Sequence, residues 1–445
     1  MKNYFRLFAI IALFAFASCA DDNTTGGYET KSVSVQLVYP GGVETAADVP
    51  VNLTDANGST YVDSTDAEGL AAFKVPTGVY EASASDSRAD EGTAYIYNGS
   101  LSNIDVNSSW DESAALDLGL TASEAGQIVI KELYIGGCPK DDGSGSYYFD
   151  SYVVLYNNST LPASLDNVCL GMVRPYSSTA INQDYVDGKL FYEAEGWIPA
   201  GQGFWYFQDG ATIQPGEQLV VALKGAIDHT ISYSNSVNLA NENNYCTYDI
   251  ESGFNNTKYY PSPAAVIPTS HYLKAYEYGQ GNAWAISNSS PAFFVFNTKD
   301  SSPESFGTDD SNLNYHGGSV TPVQARKKVP VEWILDGVEV FNQGNDVNTK
   351  RLTAAVDAGS IYLTNKLGYA LYRDVDKEAT EALPENEGKL VYGYAGGTNI
   401  NGTESTDPSG IDAEASMAAG ARIIYQDTNN STNDFHQRAV ASIKE

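Results

Sequence analysis

Residues 427–433 carry oxygen-bearing side chains at every second position, the spacing typical of the first ligands in a calcium-binding loop. The candidate ligands are Asp427, Asn429, Ser431 and Asn433. The glycine turn and the terminal glutamate of a complete calcium loop are missing, and a polar loop of Asx turns explains the same residues. Calcium is therefore the one cofactor for which the sequence offers a candidate site.

Aromatic side chains are concentrated between residues 147 and 284. In the run 204–207, alternate side chains of a strand face opposite ways, so one pair belongs to a core. The other aromatics are either covered by inserted loops or form an exposed platform on which a sugar ring stacks, with polar loops supplying hydrogen bonds. The residues assigned to this candidate ligand site are Tyr147, Tyr148, Trp205 and Trp284.

The sequence contains no recognised catalytic motif. It has no serine nucleophile elbow, no zinc-binding HExxH pair and no phosphate-binding P-loop. Its histidines stand singly in predicted loops, and sequence alone cannot assemble them into a site. The chain is therefore predicted not to be an enzyme. A surface hydrolase of glycan or nucleic acid, and a structural stalk or adhesin subunit, are the alternatives.

The charge balance argues against nucleic acid as a partner. Asp and Glu number 56 against 25 Lys and Arg, which gives a formal net charge of -31. Binding a phosphate backbone needs clustered Lys and Arg, and the only basic cluster, Arg326, Lys327 and Lys328, is too short to offset this charge. Its 31 tyrosines and 40 glycines indicate a β-rich extracellular protein.

The first 18 residues have the regions of a secretion signal. Basic residues precede an apolar run over 7–16, and small residues stand just before Cys19. This pattern resembles a bacterial lipoprotein signal peptide, which implies that 1–18 is removed, that Cys19 carries lipid in the outer membrane and that 19–30 is a tether. The two aspartates that follow resemble the surface-export signal of many Bacteroidetes lipoproteins, which implies a protein facing outward.

Three further cysteines follow Cys19. Their spacing fits neither a redox CxxC motif nor a zinc knuckle. Cys169 lies in a predicted strand and is expected to be a small buried hydrophobe. Cys138 and Cys246 are therefore the favoured disulfide pair.

Residues 31–120 contain short segments in which apolar and polar residues alternate, the pattern of half-buried strands. Turn-forming Asn-Gly and Pro-Thr-Gly segments between them predict a small β-sandwich. After a strand around residues 33–39, strands are predicted at 49–54, 59–63, 70–75, 79–84, 94–97, 100–106 and 115–120. The segment resembles the transthyretin-like or carboxypeptidase-regulatory-like modules of surface proteins, which act as spacers or binding platforms.

Residues 126–445 begin with pieces that together resemble the lamin-tail fold, an immunoglobulin-like sandwich. The pieces are QIVIKELYIGG, SYVVLYNNSTLPASLDNVCLGM and GATIQPGEQLVVALKG, and the matching positions are Glu132, Tyr156-Asn157, Leu165-Asp166 and Pro215-Gly216. Long insertions and a C-terminal extension surround this core, with one short helix expected at 412–419. The predicted fold class is all-β, with two β-sandwich domains in series.

Taken whole, residues 126–445 resemble a Bacteroidetes lipoprotein family, domain of unknown function 4876. The resemblance is carried by segments that include GCPKDDGSGSYY, WIPAGQGFWYF and DTNNSTNDFHQRA. It implies location and architecture but no chemistry. The combined prediction is a lipid-anchored outer-surface binding protein without catalysis, which recognises a glycan or serves as accessory to an outer-membrane TonB-dependent transporter.

Overall fold

The computed structural model describes residues 30–444, apart from residues 42, 57, 91, 92, 125, 300 and 346. The chain divides into two compact units, Met1–Ala125 (unit 1) and Gly126–Glu445 (unit 2). Strands hold 39% of the residues and helices 13%, so the predicted all-β class is confirmed. In the described part of the chain, no helix combines the length and apolar character that crossing a membrane requires. The predicted signal peptide, the lipid site Cys19 and the tether up to residue 29 lie outside the described residues and stay predictions.

Unit 1 is a sandwich of two β-sheets. Its strands are β1 (Thr30–Val38), β2 (Pro50–Asp55), β3 (Thr60–Ser64), β4 (Leu70–Pro76), β5 (Gly78–Asp90), β6 (Thr93–Val106), β7 (Ala115–Gly119) and β8 (Thr121–Glu124). One sheet has the order β4-β1-β7, with β1 parallel to β7, and the other has the order β3-β2-β5-β6-β8. Val33, Val35 and Leu37 of β1 share one buried apolar cluster with Val51 and Leu53 of β2. The apolar side chains of the period-two pattern thus lie on one face of each sheet, and the two apolar faces pack on a common core.

The later part of unit 1 is a long hairpin rather than the three short strands predicted at 79–84, 94–97 and 100–106. β5 and β6 pair along their lengths, with one register shift near their ends. The predicted break falls at Gly99, which lies inside β6. A Cβ atom at Gly99 would stand 2.4 Å from the carbonyl oxygen of Gly119. Glycine at this position therefore allows a close backbone approach and does not mark a turn.

Unit 2 is built on one twelve-stranded sheet with smaller sheets around it. Its strands are β9 (Ile128–Tyr134), β10 (Cys138–Pro139), β11 (Ser146–Tyr147), β12 (Tyr152–Asn157), β13 (Ala163–Ser164), β14 (Val168–Met172), β15 (Tyr185–Val186), β16 (Lys189–Leu190), β17 (Trp197–Gly201), β18 (Gly203–Tyr206), β19 (Thr212–Ile213), β20 (Gln218–Ala222), β21 (Tyr245–Thr247), β22 (Tyr272–Glu277), β23 (Ala292–Asn297), β24 (Leu313–Tyr315), β25 (Ala325–Pro330), β26 (Ile334–Asn342), β27 (Ile361–Leu363), β28 (Ala370–Arg373), β29 (Thr398–Ile400), β30 (Thr403–Ser405) and β31 (Phe435–Arg438).

The large sheet folds over so that its two ends come together. Its order is β27-β26-β23-β14-β18-β22-β21-β20-β12-β9-β28-β31. The backbone N–H of Ile130 in β9 donates to the carboxylate of Asp336 in β26 over 2.5 Å. Just after β27, the N–H of Thr364 donates to Gln437 of β31 over 2.6 Å. The main apolar core of unit 2 takes buried residues from strands along the whole sheet, so the folded sheet encloses it.

The α-helices of the described residues are short and lie in the connections, where several 3-10 helices also occur. They are α1 (Phe191–Glu195), α2 (Pro303–Thr308), α3 (Lys377–Glu381), α4 (Ala413–Ala418) and α5 (Ser431–Asp434). Asp412 caps α4 by accepting from the N–H of Ala415, so the helix predicted at 412–419 is confirmed. The likenesses of unit 1 to transthyretin-like modules and of unit 2 to the lamin-tail fold stay predictions.

Candidate functional site

Two of the four aromatics predicted to bind a ligand lie in the core. Trp205 of β18 has no exposed surface, and Trp284 is 1% exposed. The Trp205 ring stacks on Phe254 with ring centroids 5.6 Å apart, and the Trp284 indole N–H donates to the carbonyl of Gly203 over 3.0 Å. The loops inserted after β20 fold over these rings and remove them from solvent. The predicted exposed platform that includes both tryptophans is therefore wrong.

The other two predicted aromatics, Tyr147 and Tyr148, are half-buried. The hydroxyl of Tyr147 lies 2.8 Å from Nδ1 of His229, and its ring centroid is 4.7 Å from that of Tyr233. Burial raises the pKa of Tyr147 to about 12. These contacts hold Tyr147 in an internal aromatic group and do not present it on a flat exposed face.

The structure contradicts the predicted Cys138–Cys246 disulfide. Both residues are buried free thiols, as is Cys169. The Cys138 thiol lies 3.6 Å from Oδ2 of Asp150, whereas Cys246 of β21 lies in an apolar cluster. Burial raises the pKa of both Cys138 and Cys246 to about 12. All three cysteines thus have the packing role that the sequence indicated for Cys169 alone.

The calcium loop predicted from Asp427, Asn429, Ser431 and Asn433 is not assembled, because its oxygens serve separate partners. Asp427 lies 3.4 Å from the guanidinium of Arg373, so an arginine already supplies positive charge there. The hydroxyl of Ser431 donates to the carboxylate of Asp357 over 2.5 Å. The residues around them form Asx and helix-capping bonds, as in the N-cap contact from Asn430 to the N–H of Thr432. The alternative interpretation, a polar loop of Asx turns, describes this segment.

A groove of about 480 Å³ lies beside α3, and one exposed aromatic side chain lines it. Tyr392 is 55% exposed, and its hydroxyl donates to Oε1 of Glu381 over 2.9 Å, which restrains the position of the hydroxyl. The lining residues are Glu381, Ala382, Leu383, Pro384, Asn386, Glu387, Gly388, Leu390 and Tyr392. They include carboxylates and no lysine or arginine. The groove thus offers an aromatic face, apolar contacts and hydrogen-bond acceptors.

Buried bonds hold the wall of this groove. Asn386 is 2% exposed. Its side-chain amide donates to the carbonyls of Thr380 and Arg422 over 2.8 and 2.7 Å, and its oxygen accepts from the N–H of Arg422 over 2.8 Å. Tyr392 forms a backbone bridge with Ile411, next to the N-cap of α4. These contacts therefore hold the backbone of the groove in place.

A separate cluster of buried titratable groups lies where β28 ends and β31 begins. Oδ1 of Asp374 is 2.5 Å from Nδ1 of His436, and Nε2 of His436 is 2.6 Å from the hydroxyl of Tyr394. Asp407 accepts from the N–H groups of Val375 and Ser409 over 3.0 and 2.8 Å. One ligand atom each of Asp374, Asp407 and His436 lies within 4.8 Å of the others.

Burial governs the proton affinities in this cluster. It lowers the pKa of His436 to about 4, against the attraction of Asp407. It raises the pKa of Asp374 well above its ordinary value, and Asp407 adds to that effect. Both shifts favour neutral forms over charged ones. The group can share a proton along its hydrogen bonds or hold a cation between its carboxylates.

A second buried network joins β9 and β28 to α4. Lys131 has no exposed surface, and its ammonium contacts Gln218 and lies 2.6 Å from Glu414. The hydroxyl of Tyr372 donates to the same carboxylate of Glu414 over 2.8 Å. Burial lowers the pKa of Lys131, while Glu414 opposes that shift. Each polar atom named here has a partner, so this network serves the packing of unit 2.

Comparisons with known proteins found one family model and two solved structures. Residues 214–393 match the family model described as protein of unknown function (DUF4876). The sequence therefore contains a DUF4876 region. A crystal structure of a DUF4876 family protein from Bacteroides thetaiotaomicron is similar in fold, with a TM-score of 0.53 and 20% identity over 92% of this chain and 96% of that chain. At this identity the likeness supports the fold alone.

A second solved structure, a DUF3823 family protein from Parabacteroides merdae, matches 33% of this chain and 67% of its own at 9% identity. Its TM-score of 0.15 is too low to support a structural argument. No curated protein matches the sequence.

The groove residues and Asp374 lie inside the DUF4876 region, whereas Tyr394, Asp407 and His436 follow it. Sequence reasoning assigned no function to any of these residues. Asp374, Asp407 and His436 come from separate segments, whereas the groove residues all lie in the segment 381–392. The DTNNSTNDFHQRA segment, which includes His436, was the signal that could have drawn attention to this region, but it does not show which carboxylates His436 meets.

Proposed function

We propose that this protein is a lipid-anchored outer-surface binding protein without catalysis, which recognises a glycan in the groove beside α3. The observation that carries the proposal is Tyr392, an exposed tyrosine held at the edge of that groove. The volume of the groove, about 480 Å³, lies within the range usual for ligand pockets, ~300–1,000 Å³. Tyrosine combines a flat apolar face with a polar end, which suits the face of a sugar ring.

The polar lining suggests which sugars fit. Glu381 and Glu387 are exposed carboxylates, and carboxylates accept hydrogen bonds from hydroxyl groups. A uronic acid or a sulfated sugar would meet like charge here, because no lysine or arginine lines the groove. The expected ligand is therefore a neutral or amino sugar. The overall charge of -31 agrees with this selectivity.

The location in the proposal rests on the sequence. The secretion signal, Cys19 and the acidic residues after it imply a surface lipoprotein. A protein placed there also has access to an outer-membrane TonB-dependent transporter, for which it would present a captured ligand. That accessory role is part of the proposal.

The test is binding of the soluble chain, starting at residue 20, to an array of neutral, amino, uronic and sulfated glycans. Tyr392→Ala is expected to weaken binding of the captured glycan at least ~5-fold, because it removes the stacking face, worth ~1 kcal/mol or more. Isothermal titration calorimetry gives the affinities. Tyr362→Ala is the matched control, since Tyr362 is 48% exposed on β27, outside the groove.

Three results would contradict the proposal. The first is a wild-type chain that binds no glycan. The second is a Tyr392→Ala variant that binds as tightly as wild type, which would remove the groove from consideration. The third is release of new reducing ends from a bound glycan, which would replace binding without catalysis by the alternative, a surface hydrolase.

A further inference from the structure

Asp374, Asp407 and His436 form a ligand set of the kind that holds transition metals. Two carboxylates and one imidazole offer ligand atoms within 4.8 Å of one another. The three residues are 4%, 5% and 1% exposed. They come from three segments: the residue after β28, the loop after β30, and β31 itself. Only the tertiary fold brings them together.

Hydrogen bonds from neighbouring residues orient the side chains of His436 and Asp407, as such bonds orient the ligands of a metal site. The hydroxyl of Tyr394 engages Nε2 of His436, which leaves Nδ1 on the side of Asp374. Asp407 is held by the backbone N–H groups of Val375 and Ser409. In metal sites, a partner on the second ring nitrogen fixes the tautomer and orientation of a ligating histidine, and hydrogen bonds fix its carboxylates.

Several buried carboxylates of unit 2 pair with an arginine. Asp184 pairs with Arg326, Glu339 with Arg351, and Asp336 with Arg373. Among the described residues, neither Asp374 nor Asp407 forms an ion pair with a lysine or an arginine; the one ion-pair partner of Asp374 is His436. A bound cation would supply the positive charge that an arginine supplies elsewhere.

We infer that Asp374, Asp407 and His436 bind one divalent transition-metal ion, with Zn²⁺ as the best match to the ligand set. A mixed imidazole and carboxylate set suits Zn²⁺ and its neighbours better than Ca²⁺, which prefers six to eight oxygens. The ion joins the end of β28, the loop at Asp407 and β31. Its role is therefore to fasten the C-terminal part of unit 2, and the inference does not depend on the proposed glycan groove.

The test uses the chelator-treated mature chain titrated separately with Zn²⁺, Mn²⁺ and Ca²⁺ by calorimetry. One equivalent of Zn²⁺ is expected, together with a rise in Tm of roughly 2–4 °C or more, since a ligand that binds only the folded state stabilises it. His436→Gln and Asp407→Asn are expected to weaken Zn²⁺ binding at least ~10-fold. His271→Gln is the control, because His271 is a half-buried histidine whose Nδ1 lies 3.2 Å from a backbone carbonyl.

The inference is overturned if wild type binds no Zn²⁺, if it prefers Ca²⁺, or if both variants bind Zn²⁺ as tightly as His271→Gln does. If the variants do not fold, X-ray absorption on the wild-type chain alone still tests the site. X-ray absorption of the Co²⁺-loaded chain is expected to show one imidazole among oxygen ligands. A shell of oxygens without imidazole would equally reject the site.

Discussion

Lys224, two residues after β20, is 3% exposed, and its ammonium donates to Asn288 over 2.9 Å and to the carbonyl of Tyr148 over 3.3 Å. Burial lowers its pKa to about 8, while Asp150 opposes the shift. An unfolded lysine has a pKa of about 10.4. Between pH 8 and that value, the unfolded chain binds more protons at this position than the folded chain does, so the free energy of unfolding rises with pH.

Replacing Lys224 by methionine is therefore expected to remove that rise. The free energy of unfolding of wild type relative to Lys224→Met should increase between pH 7 and pH 10.5, by up to about 3 kcal/mol. Urea unfolding at several pH values measures it. Lys189→Met, at an exposed lysine of β16, is the matched control. A difference that stays flat with pH would mean that Lys224 keeps an ordinary pKa.

Glu339 and Arg351 form an ion pair with no exposed surface. Oε1 of Glu339 accepts two guanidinium bonds of 2.9 and 2.6 Å, and Oε2 accepts from the backbone N–H groups of Arg351 and Leu352. Glu339→Gln leaves the guanidinium without its counter-charge, so the free energy of unfolding should fall by about 3–5 kcal/mol. Urea unfolding checks this against Glu404→Gln, at an exposed residue of β30, which should change it little.

At the scale of elements, the hairpin of β5 and β6 depends on the absence of a side chain at Gly99. Its Cβ would meet a carbonyl oxygen at 2.4 Å, whereas a Cβ at Gly119 would meet nothing within 4 Å. Gly99→Ala should lower the free energy of unfolding by about 1–3 kcal/mol, because backbone must shift. Gly119→Ala is the matched control. Equal thermal stability of the two variants would show that β6 does not approach β7 this closely.

At the scale of the whole molecule, the sheet order decides which fragment can fold. The match to the DUF4876 region covers residues 214–393, but β9, β12, β14 and β18 lie outside that range and inside the twelve-stranded sheet. The region therefore contributes strands to a sheet that other segments complete.

A fragment of residues 126–445 should consequently fold with a cooperative thermal transition, since its apolar clusters contain residues of unit 2 only. A fragment of residues 214–393 should not, because it lacks the strands on which its own would pair. Circular dichroism melting and near-ultraviolet spectra compare the two. A native-like spectrum from the shorter fragment would show that the sheet order is wrong.

The sequence by itself determined the all-β class, the positions of most strands in unit 1 and the helix at Asp412. These follow from alternation over a few neighbouring residues and from local capping, which act within one segment. The same local pattern predicted three strands where β5 and β6 lie. Gly99 faces the backbone of β7, and a contact between separate strands cannot be predicted from local alternation.

The tertiary structure decided the burial of Trp205 and Trp284, the free state of Cys138 and Cys246, and the ion pair of Asp427 with Arg373. In each case the deciding partner is far away in the sequence: an inserted loop, an apolar cluster or Arg373 of β28. The set of Asp374, Asp407 and His436 arises the same way, whereas one continuous segment, 381–392, lines the groove. The residue type determines which bonds a side chain can form. Side chains of separate segments act together only where the fold brings them within bonding distance.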